Sequence, residues 1–104
     1  MYYDDFINAI HSMNKVKIKY FSKKYNEVIE RVCAPMDYGI SNRFKNNIDY
    51  YHGDYESEKG PHTLLLNPKD VQTINVLNET FDPAEFIDWT PIIWIIPRDW
   101  GKYS

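Results

Sequence analysis

One cysteine, Cys33, stands in 104 residues, so no disulfide can form within the chain. No Cys/His cluster offers a zinc site, because His11, His52 and His62 lie far apart without ligand spacing. Glycine is almost as scarce, four in all, and none sits in a phosphate-cradling loop. P-loop, GxSxG and HExxH motifs are missing, so no familiar catalytic constellation is present. The longest apolar run, Ile92 to Ile96, is penned between Pro91 and Pro97, far short of the ~20 residues a membrane span needs. The opening Met1-Tyr2-Tyr3-Asp4-Asp5 is acidic where a signal peptide is basic. These absences predict a cytoplasmic, non-enzymatic protein without metal, cofactor or membrane span. Cys33, in a β-prone run, reads as a buried, inert thiol.

What is present is aromatic and unevenly charged. Nine Tyr, five Phe and three Trp make 16% of the chain, too much for a disordered segment. Residues 1–52 carry a net charge of +2 and residues 53–104 a net charge of -5. Lys15, Lys17, Lys19, Lys23 and Lys24 share one stretch free of carboxylates. At this length the chain has room for one domain and one core.

Hydrophobic periodicity sets the elements. Asp4 and Asp5 are N-cap candidates, and Phe6, Ile7, Ile10 and Met13 follow at helical spacing, which predicts a helix over 4–13. From Lys15 the period changes to two, with Val16, Ile18 and Tyr20 facing a core. A second run, Val28 to Ala34, is expected to stop at Pro35 and to form a hairpin with the first. Strands are further expected over 49–55, bent or interrupted at Gly53, over 62–66 and over 71–77, with a tight or 3₁₀ turn at 67–70. The fold class is therefore mainly β: a five-stranded, strongly bent barrel over 15–80, preceded by a short helix. Closure would remove exposed strand edges. Residues 81–104 form an aromatic extension that starts with a short helical turn at 82–86.

Val16-Lys17-Ile18-Lys19-Tyr20 followed by Arg31-Val32-Cys33-Ala34-Pro35 resembles the first hairpin of the WYL domain. Tyr50-Tyr51-His52 occupies the place of that family's Trp-Tyr-Leu triplet, and residues 62–71 and 78–82 look like its later segments. The resemblance spans roughly residues 5–86. It implies an Sm-like, SH3-type barrel that serves bacterial regulation, usually beside a winged-helix domain, and binds single-stranded nucleic acid or a nucleotide. No winged helix precedes residue 1, so a stand-alone module is expected. Where the family has an arginine before the fifth strand, this chain has Asp70.

Two candidate sites emerge. Lys15, Lys17 and Lys19 project from one strand face at about 6.6 Å intervals, near the phosphate spacing of a stretched single strand; equally, they keep a solvated face soluble and blunt edge pairing. Tyr38, Phe44, Tyr50, Tyr51 and Tyr55 interleave with Arg43, Lys45 and His52, a composition on which bases stack and which also fills small barrels. Arg43 and Tyr51 are the preferred pair, and Arg31 is placed to meet a ligand or a neighbouring carboxylate. The second site is the tail. Trp89, Ile93, Trp94, Ile95 and Trp100 lie in a segment without alternation, so 86–100 packs either on its own helix or on a homodimer or protein partner.

Overall fold

The structure is a computed structural model and describes residues 2–41, 43–89 and 92–104. Met1, Asn42, Thr90 and Pro91 fall outside it, and with Pro91 the expected proline boundary on that side of the tail.

Helix α1 spans Tyr2–Ser12, two residues earlier than expected. Its buried stripe is Phe6, Ala9 and Ile10, spaced by the 3.6-residue turn. Met13 takes a left-handed φ of 55°, which ends the helix and turns the chain into β1, Asn14–Ser22. There Val16, Ile18 and Tyr20 are buried, as their alternation predicts. Complete burial of Phe6, Ile10, Val16 and Ile18 contributes about 1.5–3 kcal/mol per side chain.

Strand β2, Glu27–Gly39, does not stop at Pro35. Its first half pairs with β1 as far as Cys33. Its second half pairs from Ala34 with β3, Tyr50–Ser57, and the register shifts between Pro35 and Asp37. The proline thus falls where one ladder has ended and the next is irregular, so its missing N–H breaks little. Strand β3 runs unbroken through Gly53. A Cβ at that position would lie 2.9 Å from Cys33 Sγ, so the glycine serves close strand packing rather than a bend. Strand β4, Gly60–Leu66, a 3₁₀ turn at Pro68–Asp70, and β5, Val71–Thr80, complete the domain.

All pairings are antiparallel and the order is β4-β3-β2-β1-β5. Strand β2 joins two ladders, with β1 along its first half and β3 along its second, and the sheet is not closed. Strands β4 and β5 share no ladder among the described residues, which corrects the expected closed barrel. The 3₁₀ turn carries the chain from one edge to the other without a hairpin. The helix packs along β1, β2 and β5, and its Phe6 ring meets Tyr51 of β3 at 4.8 Å. The helix thereby adds Phe6, Ala9 and Ile10 to the core. The tail then begins with the expected helical turn, Pro83–Glu85, held by an Asp82/Glu85 capping box.

Candidate functional site

The β1–β2 hairpin closes through Lys23, Lys24, Tyr25 and Asn26. Tyr25 N–H donates to Ser22 Oγ at 3.3 Å, and Asn26 takes a left-handed φ of 53°, as asparagine tolerates. This loop overhangs an open cleft of about 470 Å³. Lys23, Lys24 and Arg31 line it together with Arg43 from the β2–β3 connection, and Tyr25, Phe44 and Tyr55 supply aromatic surface. The Arg31 guanidinium lies 4.1 Å over the Tyr55 ring, and its Nε donates to Tyr20 Oη at 3.3 Å. That hydrogen bond raises the arginine's pKa. Tyr55 in turn stacks on His62 at 5.6 Å. Asp70 stands at the rim, 3.7 Å from Lys23. Four cationic groups therefore converge on one concavity that one carboxylate offsets.

A second open cleft, about 540 Å³, lies on the other face of the β3–β4 ladder, beneath the tail. His52 and Asp54 reach it because they alternate along β3 with Tyr51 and Tyr55. Met36, Leu65, Trp89 and Trp94 provide apolar wall. Arg43, Thr63 and Leu65 line both clefts. His52 Nε2 is 3.0 Å from the Gly39 carbonyl, to which it donates. Asp54 is only 7% exposed and joins none of the ion pairs among the described residues. Burial pushes its pKa up to about 6, while the Thr63 hydroxyl acts in the opposite direction.

The tail is locked down by its own chain. Asp37 accepts the backbone N–H groups of Ile95 and Ile96, each at 2.9 Å. Arg98, its side chain fully buried, reaches Asp37 at 3.3 Å and donates to the carbonyls of Ile96 and Met36. Its guanidinium lies 3.8 Å over Trp94 and 4.5 Å over Trp100. Trp100 Nε1 donates to the Ile10 carbonyl at 2.9 Å, and Trp94 Nε1 to that of Tyr103 at 2.7 Å. Burial pulls Arg98 down to about 10 against the pull of Asp37, which leaves it charged at neutral pH.

The residues singled out from sequence divide accordingly. Lys15, Lys17 and Lys19 lie on the outer face of β1, away from both clefts. Lys15 pairs with Glu79 at 2.7 Å and Lys17 approaches Glu30 at 3.9 Å. Because β1 is an interior strand, paired with both β2 and β5, these lysines do not blunt an edge. Arg31 pairs with none of the carboxylates among the described residues; it contacts Tyr20 and Tyr55 and lines the open cleft. Arg43 lines both clefts, whereas Tyr51 is buried against Phe6 and Tyr38, so that pair is not brought together. Tyr50 is buried and accepts from Asn46 Nδ2 at 2.8 Å. In the tail, Trp100 belongs to the core and Trp94 packs against it, leaving Trp89, Ile93 and Ile95 exposed.

Tyr25, Asp54 and the Asp37–Arg98 pair are structural discoveries. A signal for the last was present: Arg98 four residues after Trp94 and two before Trp100 can stack on both. Nothing local marks Asp37 as its partner. Comparisons with family models, with curated proteins and with solved structures found no match for this chain.

Proposed function

We propose that the protein is a non-enzymatic regulatory or accessory module of the WYL kind that holds a nucleotide or a short single-stranded nucleic acid in its basic-aromatic cleft. The observation that carries this reading is the convergence of Lys23, Lys24, Arg31 and Arg43 with Tyr25, Phe44 and Tyr55 around one concavity. Cations neutralise phosphates while aromatic faces accept bases. An Sm-like ancestry is supported by the helix that precedes the strands, the order β4-β3-β2-β1-β5 and the 3₁₀ turn before β5. Asp70 is compatible with an anionic ligand because Lys23 sits beside it.

Anisotropy titration of fluorescent single-stranded DNA and RNA, at low and physiological salt, tests the reading. Saturable, salt-sensitive binding is expected. Lys24→Glu should weaken it and flatten the salt dependence by about 0.7 log units per lost phosphate contact. Lys17→Glu, on the outer face, should leave affinity within about two-fold by the same reasoning. Absence of binding at low salt, or equal loss from both variants, overturns the assignment.

A further inference from the structure

We propose that the second cleft is the base-reading half of the same site and that it takes guanine, with the base's N1–H and N2–H₂ groups on the Asp54 carboxylate. This rests on the nucleotide-binding reading above and specifies its ligand.

Asp54 is the starting point. An ionised carboxylate is purely an acceptor, with two oxygens to satisfy. This one is more than nine-tenths buried, and no cation is paired with it among the described residues. The Thr63 hydroxyl hydrogen-bonds to it, and a carboxylate so buried is destabilising unless its remaining lone pairs also find donors. Its place on the cleft wall, beside Thr63, lets a bound molecule supply the donors.

The surroundings define the donor's shape. Trp89, Trp94, Met36 and Leu65 present apolar and indole surface, suited to a flat heterocycle, and about 540 Å³ accommodates a nucleoside. Arg43, Thr63 and Leu65 belong to both clefts. The two faces thus meet at edge strand β4, and a base beside Asp54 would turn its sugar and phosphate toward Arg43, the cation common to both clefts.

Base chemistry then selects. Two parallel N–H···O bonds to one carboxylate need two adjacent donors. Guanine has them on its Watson–Crick edge. Adenine and cytosine place a ring-nitrogen acceptor next to the amino group, and uracil flanks its single N–H with carbonyls. Each of those alternatives sets a lone pair against a buried anion. A bidentate contact of this kind discriminates by roughly 10–100-fold.

Calorimetric titration of the full chain with GMP, AMP, CMP and UMP tests the proposal. GMP should bind at least about ten-fold tighter than the others, and Asp54→Asn should erase that preference while leaving weak binding common to all four. A trinucleotide AGA compared with AAA separates a free nucleotide from guanosine within a strand: whichever guanine form shows the preference identifies the source. Equal binding of all four nucleotides and both trinucleotides overturns the guanine assignment and leaves the phosphate cleft standing. No binding of any of them overturns both. The preference within the wild-type chain decides even if Asp54→Asn folds poorly.

Discussion

Asp37 and Arg98, 61 positions apart, form the one ion pair among the described residues in which both side chains are buried. Asp37 belongs to the bulged half of β2, Arg98 to the tail, and the pair is saturated on each side. Backbone N–H groups of Ile95 and Ile96 fill the carboxylate, while carbonyls and two indole faces surround the guanidinium. Buried charges are tolerated only with such complete partnering. The tail is consequently an integral layer of the domain.

Removing the cation should show this. Arg98→Ala leaves Asp37 buried without its counter-charge and is expected to lower stability by about 3–5 kcal/mol. Arg98→Lys keeps the charge but loses the planar contact with Trp94 and Trp100, for a smaller loss of about 1–2 kcal/mol. Urea denaturation followed by tryptophan fluorescence measures both. A change below about 1 kcal/mol for Arg98→Ala would show that the clasp does not hold the tail.

Trp100 offers a test of where the tail's apolar surface is spent. Trp100→Ala is expected to destabilise by about 3–5 kcal/mol, with an unfolding midpoint that does not move with protein concentration. Were Trp100 an anchor between copies, the midpoint would rise with concentration. Sedimentation velocity on the same samples supplies the independent readout.

Asp54 makes stability depend on pH in a stated direction. Its folded pKa, about 6, lies above the ordinary value of 3.8, so the folded state binds the proton more tightly. The stabilising contribution is complete below about pH 4 and is lost as pH rises through 6, on the order of 2–3 kcal/mol. Asp54→Asn should therefore match the wild type near pH 4 and exceed it at pH 7. Asp37, Arg43 and His52 share the cleft with Asp54, His62 and Asp88 line a smaller pocket that Asp54 also reaches, and Cys33 lies on the neighbouring strand β2, so the difference between the two pH curves is the quantity to compare. A flat difference from pH 4 to 7 contradicts the assignment.

Gly53 and Cys33 should behave as a coupled pair. A methyl group at 53 would sit 2.9 Å from the buried Sγ, and Gly53→Ala is expected to destabilise by about 1–3 kcal/mol. Adding Cys33→Ala vacates the space, so the double variant should be more stable than the sum of the single effects predicts. Thermal unfolding of the four proteins closes the cycle. Strict additivity would place the strain elsewhere. Cys33 offers no chemistry to lose, since burial pushes its thiol up to about 12.

The elements were legible because burial imposes period. Phe6 and Ile10, or Val16 and Ile18, announce their faces without reference to any distant residue. Pro35 misled because a proline's effect depends on whether its N–H is needed, and that depends on where the β1 ladder ends. Closure of the sheet is illegible for a similar reason: whether β4 meets β5 depends on the twist and register of all five strands together, which no single segment displays. For the candidate site, side-chain chemistry was readable and its grouping was not. Lys15 and Lys24 look alike in sequence, yet alternation sends one outward while the hairpin places the other over a cleft. Tyr51 and Tyr55, four residues apart on one strand face, differ because Phe6 covers only the first. Asp54 carries no local mark, since its isolation from cations is a property of three strands and the tail together.

The Trp100–Ile10 hydrogen bond joins residues 90 positions apart, and this separation bears on rates. Contacts so distant in sequence require the largest loops to close before they reward the chain. They belong late on the folding route, after the β1–β2 hairpin and the helix have found one another. Disturbing the tail should then leave the refolding limb of a chevron almost unchanged and raise the unfolding rate. The last dozen residues would then act as a latch that governs how long the domain stays folded, with little say in how quickly it forms.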